Sequence, residues 1–164
     1  MKLKYMIAGL TALLCLSSAG TAFCGDGWTM KLRARSLDAQ NKLIIGQMPD
    51  ATDGADGRYD VPAMAGGDLE AYSDIEGKRY WGDIRSTCES YCRNTWSIIV
   101  RSAAPGNVLK LTWDPDDVPD NIKITLTDEG TGEVADMLSG QNGYSCENHG
   151  INVFTVSAES QQAK

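Results

Sequence analysis

The sequence predicts an all-β chain, built as a two-layer antiparallel β-sandwich of immunoglobulin-like or jelly-roll-like form, and three observations predict it. Apolar residues recur at every second position in short runs: Trp96, Ile98, Val100; then Val108, Leu109, Leu111, Trp113; then Ile122, Ile124, Leu126. Such alternation sends successive side chains to opposite faces of a pleated strand, so each run buries one face and wets the other. Turn chemistry separates the runs at Pro105-Gly106-Asn107 and between Asp114 and Asn121, where Pro115 and Pro119 fall. Thr95 to Asp128 therefore reads as a meander of half-buried strands. Seven or more short strands at this spacing favour a sandwich over a closed barrel.

The N-terminus is of a different kind. Lys2 and Lys4 precede an apolar run from Met6 to Leu16, and small residues follow up to Ala22. This is the build of a signal peptide over residues 1–22, with the mature chain starting near Phe23. The run is shorter than the roughly 20 apolar residues that span a bilayer. Export to the periplasm or the cell exterior is the expectation, with no membrane span in the mature chain. Residues 23–157 make one domain of ordinary size, and 158–164 a polar tail.

Charge narrows the range of partners. The chain carries 15 Lys and Arg against 22 Asp and Glu, a net −7. Removing residues 1–22 takes away Lys2 and Lys4 alone, which leaves about −9. An acidic surface repels nucleic acid and anionic lipid, and the sequence shows no basic cluster to offset it.

In chain order, Trp28–Arg35 alternates Trp28, Met30, Leu32 and Ala34 against Thr29, Lys31, Arg33 and Arg35, a strand with its basic side in water. Leu43–Gln47 pairs with it after a turn over Ser36–Lys42. Residues 49–62 crowd Asp50, Asp53, Asp56 and Asp60 into eleven positions, with Gly54 and Gly57 between them. Oxygen ligands at that density suit calcium. The spacing departs from the helix-loop-helix calcium signature, and the competing expectation is that these aspartates cap turns by bonding nearby backbone. Leu69–Tyr72 then faces Arg79–Arg85. There Tyr72, Tyr80 and Trp81 form a candidate sugar-binding platform, with ordinary core packing the competing role. Asp83 and Arg85 share a face and are expected to form a surface ion pair of little net value. Glu133–Leu138, Tyr144–Cys146 and Ile151–Val156 complete the strands; the last is apolar on both faces, as either a central strand or one covering the open end of a sandwich would be.

Four cysteines survive cleavage: Cys24, Cys88, Cys92 and Cys146. In an oxidising compartment an even number favours two disulfides, of three possible connectivities. A local Cys88–Cys92 bridge with a Cys24–Cys146 staple between the termini is preferred over the pairings that tie Cys88 and Cys92 to the two ends. His149 with Cys146, Cys88 and Cys92 could in principle ligate zinc, but exported thiols tend to be oxidised. No nucleophile elbow, phosphate loop or dinucleotide fingerprint occurs, and 22 acidic residues single out no catalytic pair. No catalytic residue is expected.

Several segments together carry a resemblance: Trp28–Ala34, Gly46–Asp60 with its Ala51-Thr52-Asp53-Gly54-Ala55-Asp56, Tyr80–Arg85 with its Asp83-Ile84-Arg85, Trp96-Ser97-Ile98, Leu111-Thr112-Trp113-Asp114 and Ile124-Thr125-Leu126-Thr127-Asp128. In these the chain resembles β-sandwich modules of exported bacterial surface or extracellular proteins, near immunoglobulin-like and fibronectin-like domains. The cysteine-bearing loop departs from that pattern. The resemblance implies a non-catalytic accessory or structural module that meets another protein of a surface or periplasmic assembly. A carbohydrate-binding module and a calcium-stabilised surface protein are the alternatives.

Overall fold

The structure, a computed structural model, describes residues 27–87, 93–115 and 118–160. The expected signal peptide, Cys24, Cys88 and Cys92 lie outside the described residues. The strands are β1 (Trp28–Ser36), β2 (Ala39–Met48), β3 (Val61–Pro62), β4 (Leu69–Ile75), β5 (Lys78–Ser86), β6 (Arg93–Ser102), β7 (Val108–Asp114), β8 (Ile122–Asp128), β9 (Val134–Asp136), β10 (Gly143–Glu147) and β11 (Ile151–Ser160). Among the described residues there is no helix, and so none long and apolar enough to cross a membrane.

The chain is all-β, but its ladders do not divide into two sheets. They run as one sheet in the order β10-β7-β1-β2-β5-β4-β6-β11-β8-β9, with β3 set against β5. The sheet rolls until its ends approach. Trp113 Nε1 of β7 donates to the Met137 carbonyl just past β9 at 2.9 Å, and the Tyr144 hydroxyl of β10 lies 3.0 Å from Asp128 and 2.9 Å from Glu133. Side chains thus span a seam that no ladder closes among the described residues.

Alternation sets the inside of the roll. β1 buries Trp28, Met30, Leu32 and Ala34, β6 buries Trp96, Ile98 and Val100, and β7 buries Leu109, Leu111 and Trp113. Trp28 meets Trp96 from the facing wall edge-on, centroids 5.9 Å apart and planes at 70°.

Several local expectations change. The runs in β6, β7 and β8 are strands but not a meander: β6 pairs with β4 and β11, β7 with β1 and β10, and β8 with β11 and β9. Period two reports that a segment is a strand, whereas its neighbours depend on long-range register. The turn between β1 and β2 is only Leu37-Asp38, because Gln40 and Lys42 extend the outward polar alternation and pair with Arg35 and Arg33. The sheet is not wholly antiparallel, since Ile44–Met48 runs parallel to Gly82–Ser86. The long segment between β2 and β5 supplies the crossover that a parallel pair requires. β11 is central, flanked by β6 and β8, and it continues to Ser160 with Ser157 and Ala158 buried, beyond the expected end at 157.

Candidate functional site

The parallel contact creates an apolar groove in the wall. β2 pairs with β5 only from Ile44 onward, so Gln40 to Leu43 have no ladder on that side. On its opposite edge β5 carries the two residues of β3, Val61 beside Gly82. A Cβ at Gly82 would stand 3.3 Å from Val61, so glycine lets β3 settle close. Between these strands lies a shallow groove of about 370 Å³, lined by Gln40, Lys42, Ile44, Val61 and Trp81. Ile44 is 38% exposed and Val61 54%.

Of the expected aromatic platform, Trp81 alone is available. Tyr72 and Tyr80 are buried, and the Arg79 guanidinium, ion-paired to Glu70, lies 4.8 Å from the Tyr72 ring centre. The other three indoles are anchored by their N–H groups: Trp28 to Gln47, Trp96 to the Asp83 carbonyl and Trp113 to the Met137 carbonyl. The Trp81 N–H makes no hydrogen bond to the described residues.

The acidic loop spends its oxygens locally. Asp56 accepts from the backbone N–H groups of Arg58, Tyr59 and Thr52; the Arg58 bond, foremost, helps hold its carboxyl below the usual range. Asp60, buried, accepts from Asp56 N–H and Ile84 N–H and so ties the loop to β5. Burial pushes its carboxyl up despite those bonds. Asp53 accepts from the Ser86 hydroxyl, and Asp50 pairs with exposed Arg58. These contacts match the turn-capping expectation, and among the described residues no three His, Cys, Asp or Glu side chains converge as a metal site.

The Asp83–Arg85 pair is not at the surface. Asp83 is 1% exposed, and Arg85 grips it with Nε at 3.1 Å and Nη2 at 3.2 Å, while the Ser73 hydroxyl donates to the same carboxylate. β5 carries Asp83 in register with core residue Ile45, which turns it inward.

Cys146 sits on β10 opposite Leu109, and Leu109 lies opposite Ser36. It is thus level with the far end of β1, eight residues or about 26 Å from Trp28. Cys24 precedes Trp28 by four residues, a reach of at most about 14 Å. The Cys24–Cys146 staple does not fit this register. Burial, foremost, pushes the Cys146 thiol up to about 11. His149 is exposed in the β10–β11 turn.

One feature of the surface corrects the charge reading. The outward positions of β7, β1 and β2 form a patch of nine: Lys110, Thr112 and Asp114 beside Arg35, Arg33 and Lys31, which lie beside Gln40, Lys42 and Ile44. Five are cationic and one, Asp114, is acidic. None of the five cations joins an ion pair among the described residues, whereas Arg58, Arg79, Arg85 and Arg93 all do. A basic cluster therefore exists on this acidic chain. Three of its members were visible as the wet side of β1, but Lys42 and Lys110 join them only through register. No protein-family model, curated protein or solved structure matches the chain.

Proposed function

We propose that the protein is a non-catalytic exported binding module, sandwich-like in the packing of its opposed walls, and that its groove takes a carbohydrate. The observation that carries this reading is Trp81: a half-buried indole in a shallow apolar groove, its N–H without a hydrogen bond to the described residues, beside Gln40 and Lys42. An aromatic face packs against the apolar face of a sugar ring while nearby polar groups meet its hydroxyls. A volume of about 370 Å³ is at the small end of ligand sites. The acidic loop is in this reading a structural brace, with calcium a dispensable addition.

The test uses the fluorescence of the indoles. Trp28, Trp96 and Trp113 are 4% exposed or less, so a change on adding soluble polysaccharide reports mainly on Trp81. A saturable change is expected, lost in Trp81→Ala at unchanged melting temperature. No response to neutral or acidic polysaccharides, or full binding by Trp81→Ala, overturns the reading.

A protein partner is the second reading, favoured by Met64, 74% exposed, close along the chain to exposed Val61. Met64 does not line the groove. Loss of a protein complex in Met64→Glu, with glycan response intact, would select it.

A further inference from the structure

We infer that the carbohydrate is an acidic polysaccharide, whose carboxylates or sulfates lie across the basic patch of β7, β1 and β2 while one sugar packs on Trp81. The inference rests on the proposed groove and adds the charge of its ligand. Lys42 belongs to both features: it lines the groove and lies opposite Arg33 in the patch. From it the cations continue without a break through Arg33 and Arg35 to Lys110, with Lys31 alongside.

The lattice of the sheet sets their spacing. Alternate residues along β1 lie about 6.6 Å apart, and neighbouring strands about 4.8 Å. Lys42, Arg33 and Arg35 to Lys110 thus make a track of closely repeated positive charge, which suits an extended polymer with an anionic group on successive units. Cations that join no ion pair among the described residues, on a net −7 chain, oppose their own protein's field only locally, so the attraction is short-ranged and weakened by salt. Arginine adds forked recognition of planar carboxylate and sulfate groups.

Other polyanions fit less well. Single-stranded nucleic acid is held by several aromatic side chains that stack successive bases, and among the nine patch residues none is aromatic. A lipid surface is entered by bulky apolar side chains, and within the patch only Ile44 is apolar. Thr112 and Gln40 supply hydroxyl and amide groups, which serve sugar hydroxyls.

The experiment measures binding of the full mature chain to polygalacturonate, dextran, poly-dT and phosphatidylglycerol vesicles at 50 and 300 mM salt. The expected result is preference for polygalacturonate, with affinity falling on the order of tenfold over that salt range. Arg33→Glu with Lys42→Glu should weaken it at least about tenfold, and Trp81→Ala should weaken it also. Lys123→Glu, an exposed change on β8, should leave it within about twofold; all variants are checked for unchanged melting. Equal, Trp81-dependent binding to dextran overturns the inference and leaves the groove reading standing. Absence of binding to both polysaccharides overturns both. Tighter binding to poly-dT or vesicles, or equal loss in Lys123→Glu, overturns the inference by assigning the charge to another partner or to the whole surface.

Discussion

At the scale of single residues, Asp83 shows how much a buried charge depends on its partners. Its carboxylate is held by two arginine nitrogens and a serine hydroxyl inside the wall. A buried ion pair gains little over an apolar substitute, but removing one partner strands the other, a loss of about 3–5 kcal/mol. Asp83→Ala should therefore lower the unfolding free energy measured in urea by that amount, and Asp83→Leu with Arg85→Met should recover much of it. A single-mutant loss below about 1 kcal/mol would place the pair in water. Asp56 makes a different case, since its carboxyl lies below the ordinary aspartate value of 3.8 through backbone donors led by Arg58. A lowered folded value means that the charged form is favoured by folding, so its stabilisation is present above 3.8 and lost as pH falls through the folded value. Asp56→Asn should melt below the parent at pH 7, and the two curves should converge in acid. A gap independent of pH would show that charge plays no part.

At the scale of elements, the strands were legible because period two writes burial directly into sequence. β1 and β6 follow their alternation without a break. What the period leaves out is which strands meet, and that omission explains the false meander, the hidden parallel pair and the basic patch divided among β1, β2 and β7. Asp83 was misread for a related reason: an aspartate beside an arginine in a strand reads as surface until the facing strand is known. Of the candidate site, Trp81 was visible as an aromatic, but its separation from Tyr72 and Tyr80 required the contact of β3 with β5. Gly46 is the element-scale test of that wall. It lies between β1 and β5, opposite Thr29 and Ile84, and a Cβ there would collide with the Trp28 carbonyl oxygen and stand 2.9 Å from Thr29 Cα. Backbone cannot swing aside as a flexible side chain can, so Gly46→Ala should cost about 1–3 kcal/mol. A neutral change in denaturation would mean that β1 and β2 are farther apart than this register places them.

At the scale of the whole molecule, the roll decides what its cysteines can do. Gly27 lies beside Met48, Thr87 N–H bonds the Met48 carbonyl, and the Asn94 amide reaches the Ser86 carbonyl. The chain thus leads toward Cys24, Cys88 and Cys92 from one end of the roll. Cys146 is at the other, its sulfur 3.7 Å from the amide nitrogen of Asn152, which pairs with Val100. Arg93 is seven residues from Val100, about 23 Å along β6, far beyond the Cα separation of at most about 7 Å that a disulfide spans. Cys146 should therefore be unpaired within the chain, leaving three cysteines that make at most one bridge. The mature protein should weigh two hydrogens less than its reduced form rather than four, and denaturation without reductant should expose Cys146 to alkylation. In the folded protein that alkylation should be slow at pH 7.5, because a thiol pushed up to about 11 yields little of the reactive thiolate. Recovery of Cys146 in a cross-linked peptide of the monomer would require β10 to lie elsewhere, and with it the seam that Tyr144 spans.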